Sequence, residues 1–187
     1  MSITRIDNLL SKEEIDHIDS IRLSQEPYFH EELGRIQFND IGKILLLETI
    51  EKLTKIARDV SDLPLLMSDA MIVEYNSLYG SPNLRTHVDR DTNELIINMQ
   101  LESNTVWPIG LNLEIYTLDD NSALIFNANK ETHWRVHKEF KEGEYVRMVF
   151  IRFYNPEKIS DYSHISDHPD DEIFKEAREF RDSLGVF

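Results

Sequence analysis

From Pro64 the hydrophobic pattern of this chain changes from a helical to an extended period, and it stays extended for about ninety residues. Candidate strands fall at 66–76, 83–89, 94–102, 106–109, 112–118, 122–126, 132–138 and 145–154. Turn-forming stretches separate them: Gly80-Ser81-Pro82, Glu102-Ser103-Asn104, Leu118-Asp119-Asp120-Asn121, residues 127–132, and Lys141-Glu142-Gly143-Glu144. About eight short strands with turn signals between them thus lie in one continuous block. They predict a two-sheet sandwich or a double-sheet jelly roll. The fold class read from the chain is therefore α+β, mainly β: a jelly-roll core with helices packed on it.

The flanks supply the helices. Ser11-x-x-Glu14 is a capping box at the start of a helix over 8–24, with Leu10 and Ile15 placed to staple it. Residues 25–39 read as loop or short strand, punctuated by Pro27 and Gly34. A second helix is predicted from an Asp40 cap, with Ile41, Ile44, Leu47, Ile50, Leu53, Ala57 and Val60 forming one apolar stripe. After Asn155-Pro156 a polar loop leads to a closing helix over 170–183, with Ile173, Phe174, Ala177 and Phe180 on one side. The 187 residues fit a single domain: a helical part over 1–63, the jelly-roll core over 64–155, and a loop and helix over 156–187.

Composition narrows the chemistry. There is no cysteine, so disulfides and thiolate metal sites are excluded, and any metal must be held by His, Asp or Glu. Twenty Lys and Arg stand against 35 Asp and Glu, a formal charge of −15. Such a field repels polyphosphates and disfavours nucleic acid as a partner. No apolar run approaches the length that spans a bilayer, and Met1–Glu14 has neither a basic nor an apolar leader segment, so a cytoplasmic protein is expected.

The candidate site is His87-Val88-Asp89. On an extended backbone residues i and i+2 leave the same face, so this imidazole and carboxylate can reach one point. A further His from a distant strand would complete a 2-His-1-carboxylate face that leaves metal positions open. His133 and His137 are both available and share strand parity; Asp91 is an alternative carboxylate. A hairpin turning at Glu142-Gly143 would set His133 opposite Arg152 and His137 opposite Arg147 or Met148.

Taken in order, Val73-Glu74-Tyr75, Gly80, His87-Val88-Asp89, Asn121 to Phe126, His133-Trp134-Arg135, Gly143 and Arg147 to Phe153 resemble the iron(II)- and 2-oxoglutarate-dependent oxygenases of the prolyl-hydroxylase type. The likeness covers about residues 71–154. It implies a double-stranded β-helix core, Fe(II) on His87, Asp89 and a distal His, and 2-oxoglutarate as cosubstrate. It further implies an Arg on the next strand for the distal carboxylate of 2-oxoglutarate, and Tyr75 as a hydrogen-bonding partner of that cosubstrate. Its "apolar strand, short loop, His" order favours His133 as the distal ligand, whereas the usual spacing from ligand to Arg favours His137 followed by Arg147. Arg147 is the expected carboxylate partner, with Arg152 as the alternative. The implied reaction couples decarboxylation of 2-oxoglutarate to hydroxylation of a C–H bond in a small molecule or peptide. Two other classes share such a barrel: a cupin-like metal protein without oxoglutarate chemistry, and an inactive barrel that only binds a ligand.

Overall fold

The run Tyr145–Tyr154 (β10) alternates between two apolar faces, and that alternation organises the molecule. Val149, Ile151 and Phe153 enter one buried cluster, while Val146 and Met148 enter a second. A strand apolar on both faces must lie between two layers. β10 accordingly occupies the centre of a seven-stranded antiparallel sheet, of order β1-β8-β5-β10-β4-β3-β2. The others are β1 (Thr4–Ile6), β2 (Tyr28–His30), β3 (Arg35–Phe38), β4 (Leu66–Asn76), β5 (Leu95–Ser103) and β8 (Ser122–Phe126). A smaller antiparallel sheet, β7 (Glu114–Tyr116), β6 (Ile109–Leu111) and β9 (His133–Arg135), lies across the second cluster. This computed structural model describes residues 3–82, 84–89, 93–158 and 183. Of the closing helix read over 170–183 all but Ser183 lies outside the described residues, as does the alternative ligand Asp91.

The first cluster is closed by helices α1 (Lys12–Ser24) and α2 (Leu47–Ser61). Ile18 and Ile21 come from α1, and Leu53 and Ala57 from α2. The capping box forms as read: Ser11 Oγ accepts from Glu14 N–H, and Glu14 Oε2 accepts from Ser11 N–H at 2.7 Å. Asn121, in a left-handed turn, then clamps the approach to α1 by accepting from Leu10 N–H and donating to Leu10 O, each at 2.8 Å. The second helix does not begin at Asp40. Asp40 has φ +58°, whereas a capping residue needs an extended backbone, and only one 3₁₀ turn forms at Ile41–Lys43 before the helix restarts at Leu47. Gly42 lies against the backbone of Ala70 in this turn, so the chain follows the sheet there.

Strands 66–76, 122–126 and 145–154 have the bounds the sequence suggests, and β5, β6, β7 and β9 lie within a few residues of theirs. The segment expected as a strand over 83–89 makes only an isolated bridge at His87. Between the sheets, Gly110 of β6 faces Trp134 of β9, whose ring passes 2.1 Å from where a Cβ would stand. No larger residue leaves room for that indole.

Candidate metal centre

The site is assembled where the 84–89 segment docks on β9. His87 and His133 exchange backbone hydrogen bonds of 3.0 and 2.8 Å, Arg135 N–H donates to Leu84 O at 3.1 Å, and Asp89 N–H donates to Ala128 O at 2.7 Å. These bonds fix the register, so His87 and Asp89 meet His133 at one place. Nδ1 of His87 lies 2.7 Å from the carbonyl of Arg85, and Nδ1 of His133 lies 3.0 Å from that of Glu131. A carbonyl can only accept, so each Nδ1 carries the proton and each Nε2 keeps a free lone pair. Asp89 Oδ1 sits 3.9 Å from His87 Nε2 and 3.6 Å from His133 Nε2. One ligand atom from each of the three residues lies within 4.8 Å of the others, close enough to share one ion.

Electrostatics suit the same task. Withdrawal from water, aided by the His133 ring, pushes the pKa of His87 down to about 4, so its imidazole is neutral near pH 7. Burial pushes the Asp89 carboxyl up, but the facing imidazoles of His133 and His87 and the guanidinium of Arg152 outweigh it and hold the group at about 2. Asn93 Nδ2 donates to Asp89 Oδ2 at 3.3 Å, and Arg152 Nε stands 3.9 Å from the same oxygen.

The triad opens on a cavity of about 410 Å³. Among the described residues four arginines line it, Arg35, Arg85, Arg135 and Arg152, with Asp89 as the one carboxylate and Ile96, Ile109 and Phe150 as apolar wall. Tyr75 also lines it and is 1% exposed. In a chain of charge −15 this local excess of cations is the opposite of the overall field.

The sequence-derived candidates fall on both sides of the sheet. His137 is exposed, follows β9 and does not join the cluster. Arg147 is not in the cavity: on β10 it shares parity with Val149 and Ile151, so it points toward the helices. There it holds Glu74 at 3.0 Å and pairs with Glu102. Arg152 has the opposite parity and lines the cavity; its Nη1 binds Asp69 at 3.2 Å, and its buried Nε has no hydrogen-bond partner among the described residues. β9 and β10 lie in different sheets and do not form a hairpin, so spacing arguments that assume one fail.

Sequence reading missed Arg135. It stands two residues after His133 and so on the same face of β9, a parity signal that was legible in His133-Trp134-Arg135. Its Nη1 donates to Trp107 O at 2.6 Å, its Nη2 reaches Met148 Sδ at 3.6 Å, and its Cζ lies 4.9 Å from the Trp107 ring centroid. Only 8% exposed, it has no ion pair among the described residues, and burial lowers its pKa to about 10. A buried guanidinium without a counter-charge costs several kcal/mol. A carboxylate ligand would remove that cost.

Comparison with solved structures agrees on architecture. The non-heme alpha-ketoglutarate-dependent epimerase SnoN from nogalamycin biosynthesis superposes with TM-score 0.65 at 10% identity, over 90% of this chain and 87% of that one. A prolyl hydroxylase from Trichoplax adhaerens, in complex with a hypoxia-inducible-factor peptide fragment, gives 0.60 at 11% identity, covering 87% of each chain. The chain has the double-stranded β-helix fold of these oxygenases. HygX from Streptomyces hygroscopicus, solved with nickel, 2-oxoglutarate and hygromycin B bound, gives 0.60 at 8% identity over 82% of this chain and 83% of that one. No family model matches the sequence, and no curated protein matches it. Among the described residues no helix is long and apolar enough to cross a membrane.

Proposed function

We propose that the protein is an Fe(II)- and 2-oxoglutarate-dependent oxygenase, with His87, Asp89 and His133 as the metal ligands. One observation carries this reading: two imidazoles, each with its Nδ1 on a backbone carbonyl, and one ionised carboxylate converge within 4.8 Å at the wall of a cationic cavity in a barrel of this fold. That donor set fits divalent iron and leaves coordination positions open. When bound, iron and 2-oxoglutarate would supply an oxidative decarboxylation coupled to attack on a substrate C–H bond.

The chain's residues do the positioning. The carbonyls of Arg85 and Glu131 hold the two imidazole rings in the ligating tautomer. Asn93 and Arg152 orient the Asp89 carboxylate from its Oδ2 side, leaving Oδ1 turned toward the two imidazoles. Arg135 takes the role expected of Arg147, holding the distal carboxylate of 2-oxoglutarate in the barrel interior. Tyr75 stands beside it: its ring packs edge-on against Trp107 at 4.7 Å, and its hydroxyl accepts from Arg35, leaving its own proton free to donate to the cosubstrate. Ile96, Ile109 and Phe150 exclude water around the reacting centre. Because this architecture serves an epimerase as well as hydroxylases, hydroxylation of a small molecule or peptide is the reading taken from the resemblance.

Succinate formed from 2-oxoglutarate tests it. Purified protein with Fe(II), ascorbate and O₂ is expected to turn 2-oxoglutarate over slowly even without substrate, and Asp89→Ala is expected to lose that turnover. Iron binding with no uptake of 2-oxoglutarate would favour a cupin-like metal protein instead.

A further inference from the structure

The oxygenase reading accounts for Arg152 beside Asp89 and for Arg135 in the interior, but gives Arg35 only a hydrogen bond to the Tyr75 hydroxyl and no anion for its charge. Arg35 opens β3 and is only 8% exposed. The turn that delivers it is fixed: Gly34 has φ +56° and packs so tightly on Ser81 that a Cβ would stand 3.0 Å from its carbonyl. Nη1 donates to the Tyr75 hydroxyl at 2.9 Å, and Nε and Nη2 both donate to Gln37 Oε1, at 3.3 and 3.1 Å. All of these acceptors are neutral. Among the described residues Arg35 forms no ion pair, whereas Arg147 pairs with Glu74 and Glu102 and Arg152 with Asp69. Its Cζ lies 5.9 Å from both the Tyr75 and Phe150 ring centroids, which places the charge on the cavity wall against apolar surface.

2-Oxoglutarate carries two carboxylates. In the proposed function one sits at the metal and the other on Arg135, so the cosubstrate leaves Arg35 unneutralised. A five-carbon diacid also fills only part of a cavity of about 410 Å³. Leu33, Leu84 and Phe150 line the same cavity, with the Phe150 ring centroid 5.9 Å from the Arg35 Cζ. We infer that the substrate is a carboxylic acid with an apolar body, its carboxylate bound by Arg35 and its apolar part packed on Leu33, Leu84 and Phe150. The inference rests on the oxygenase reading and names the substrate class of that site. A planar guanidinium already held by Gln37 and Tyr75 is preorganised for such an acid, so little side-chain entropy is lost on binding. With the chain at −15, attraction for an acid must be generated locally, by a desolvated cation inside the cavity.

The test uses the full chain loaded with Mn(II), which does not turn over. Calorimetry first measures 2-oxoglutarate binding to the Mn(II) protein. At saturating 2-oxoglutarate it then measures binding of N-acetyl-L-leucine and of its neutral carboxamide. The acid is expected to bind about 10-fold more tightly than the amide, or better. Arg35→Gln is expected to erase that preference while 2-oxoglutarate affinity falls by no more than in Tyr75→Phe, which removes the hydroxyl that Arg35 orients and is expected to cost about 3-fold; Arg35→Lys is expected to restore part of the preference. Equal binding of acid and amide, no binding of either, or a loss of about 10-fold in 2-oxoglutarate affinity in Arg35→Gln would overturn the inference; the last would assign Arg35 to the cosubstrate. Failure of the first titration would instead overturn the oxygenase reading and take this inference with it.

Discussion

Arg147, on the helix-packed face of the large sheet, and Arg135, on the cavity wall formed by the smaller sheet, are treated in opposite ways. On the helix-packed face, Arg147 of β10 is held by Glu74 and Glu102, two acids from the neighbouring strands β4 and β5. On the cavity side, Arg135 is more deeply buried and, among the described residues, meets a carbonyl, a thioether and an indole face but no acid. The first arrangement is complete in the protein alone and stabilises the fold. The second is incomplete, since its guanidinium is desolvated without a compensating anion. On the proposed function Arg135, whose charge is left unanswered, meets a ligand, and Arg147, answered by neighbouring acids, serves the fold.

That contrast is most exposed to failure at the metal end of the cavity. Loss of a residue that only orients a metal ligand costs about 10- to 100-fold in affinity, so removing a ligand in Asp89→Ala should weaken Mn(II) or Fe(II) binding by more than about 100-fold. Equilibrium dialysis with metal analysis would show it, and unchanged stoichiometric binding would place the metal elsewhere. Next in size is Arg135→Met. Truncating one partner of a buried charge pair costs about 2–5 kcal/mol, so 2-oxoglutarate affinity should fall by about 30-fold or more by calorimetry. Thermal stability without ligand should hold or rise in the same variant, because a buried unpaired charge is gone. Arg147→Met is the mirror image: 2-oxoglutarate affinity unchanged, and stability lower by about 1–3 kcal/mol because Glu74 loses its partner in a largely desolvated position. An exchange of these two outcomes would invert the assignment of the faces.

Much of this architecture was legible in the chain. The bounds of 66–76, 122–126 and 145–154 follow from apolar patterning bounded by turn residues, and Ser11-x-x-Glu14 forms the cap it spells. The His87-x-Asp89 pair and His133 are brought together, since i, i+2 parity is a local property. What was not legible depends on which sheet a strand joins. His133 and Arg147 fall in different sheets, so the residue count between them says nothing about which face Arg147 takes. Parity within β10 decides that, and it separates Arg147 from Met148, Phe150 and Arg152. Arg135 carried a usable signal in its spacing from His133. Arg35 carried none, because β3 is a four-residue strand whose place beside β4 is a long-range pairing.

The most direct test of the central claim is an anaerobic titration of 2-oxoglutarate into the Fe(II)-loaded protein, followed by visible absorption. A weak metal-to-ligand charge-transfer band that saturates at one equivalent, is lost in Asp89→Ala, and requires far more 2-oxoglutarate in Arg135→Met is the expected result. Iron bound at full stoichiometry with no such band at any 2-oxoglutarate concentration would contradict it.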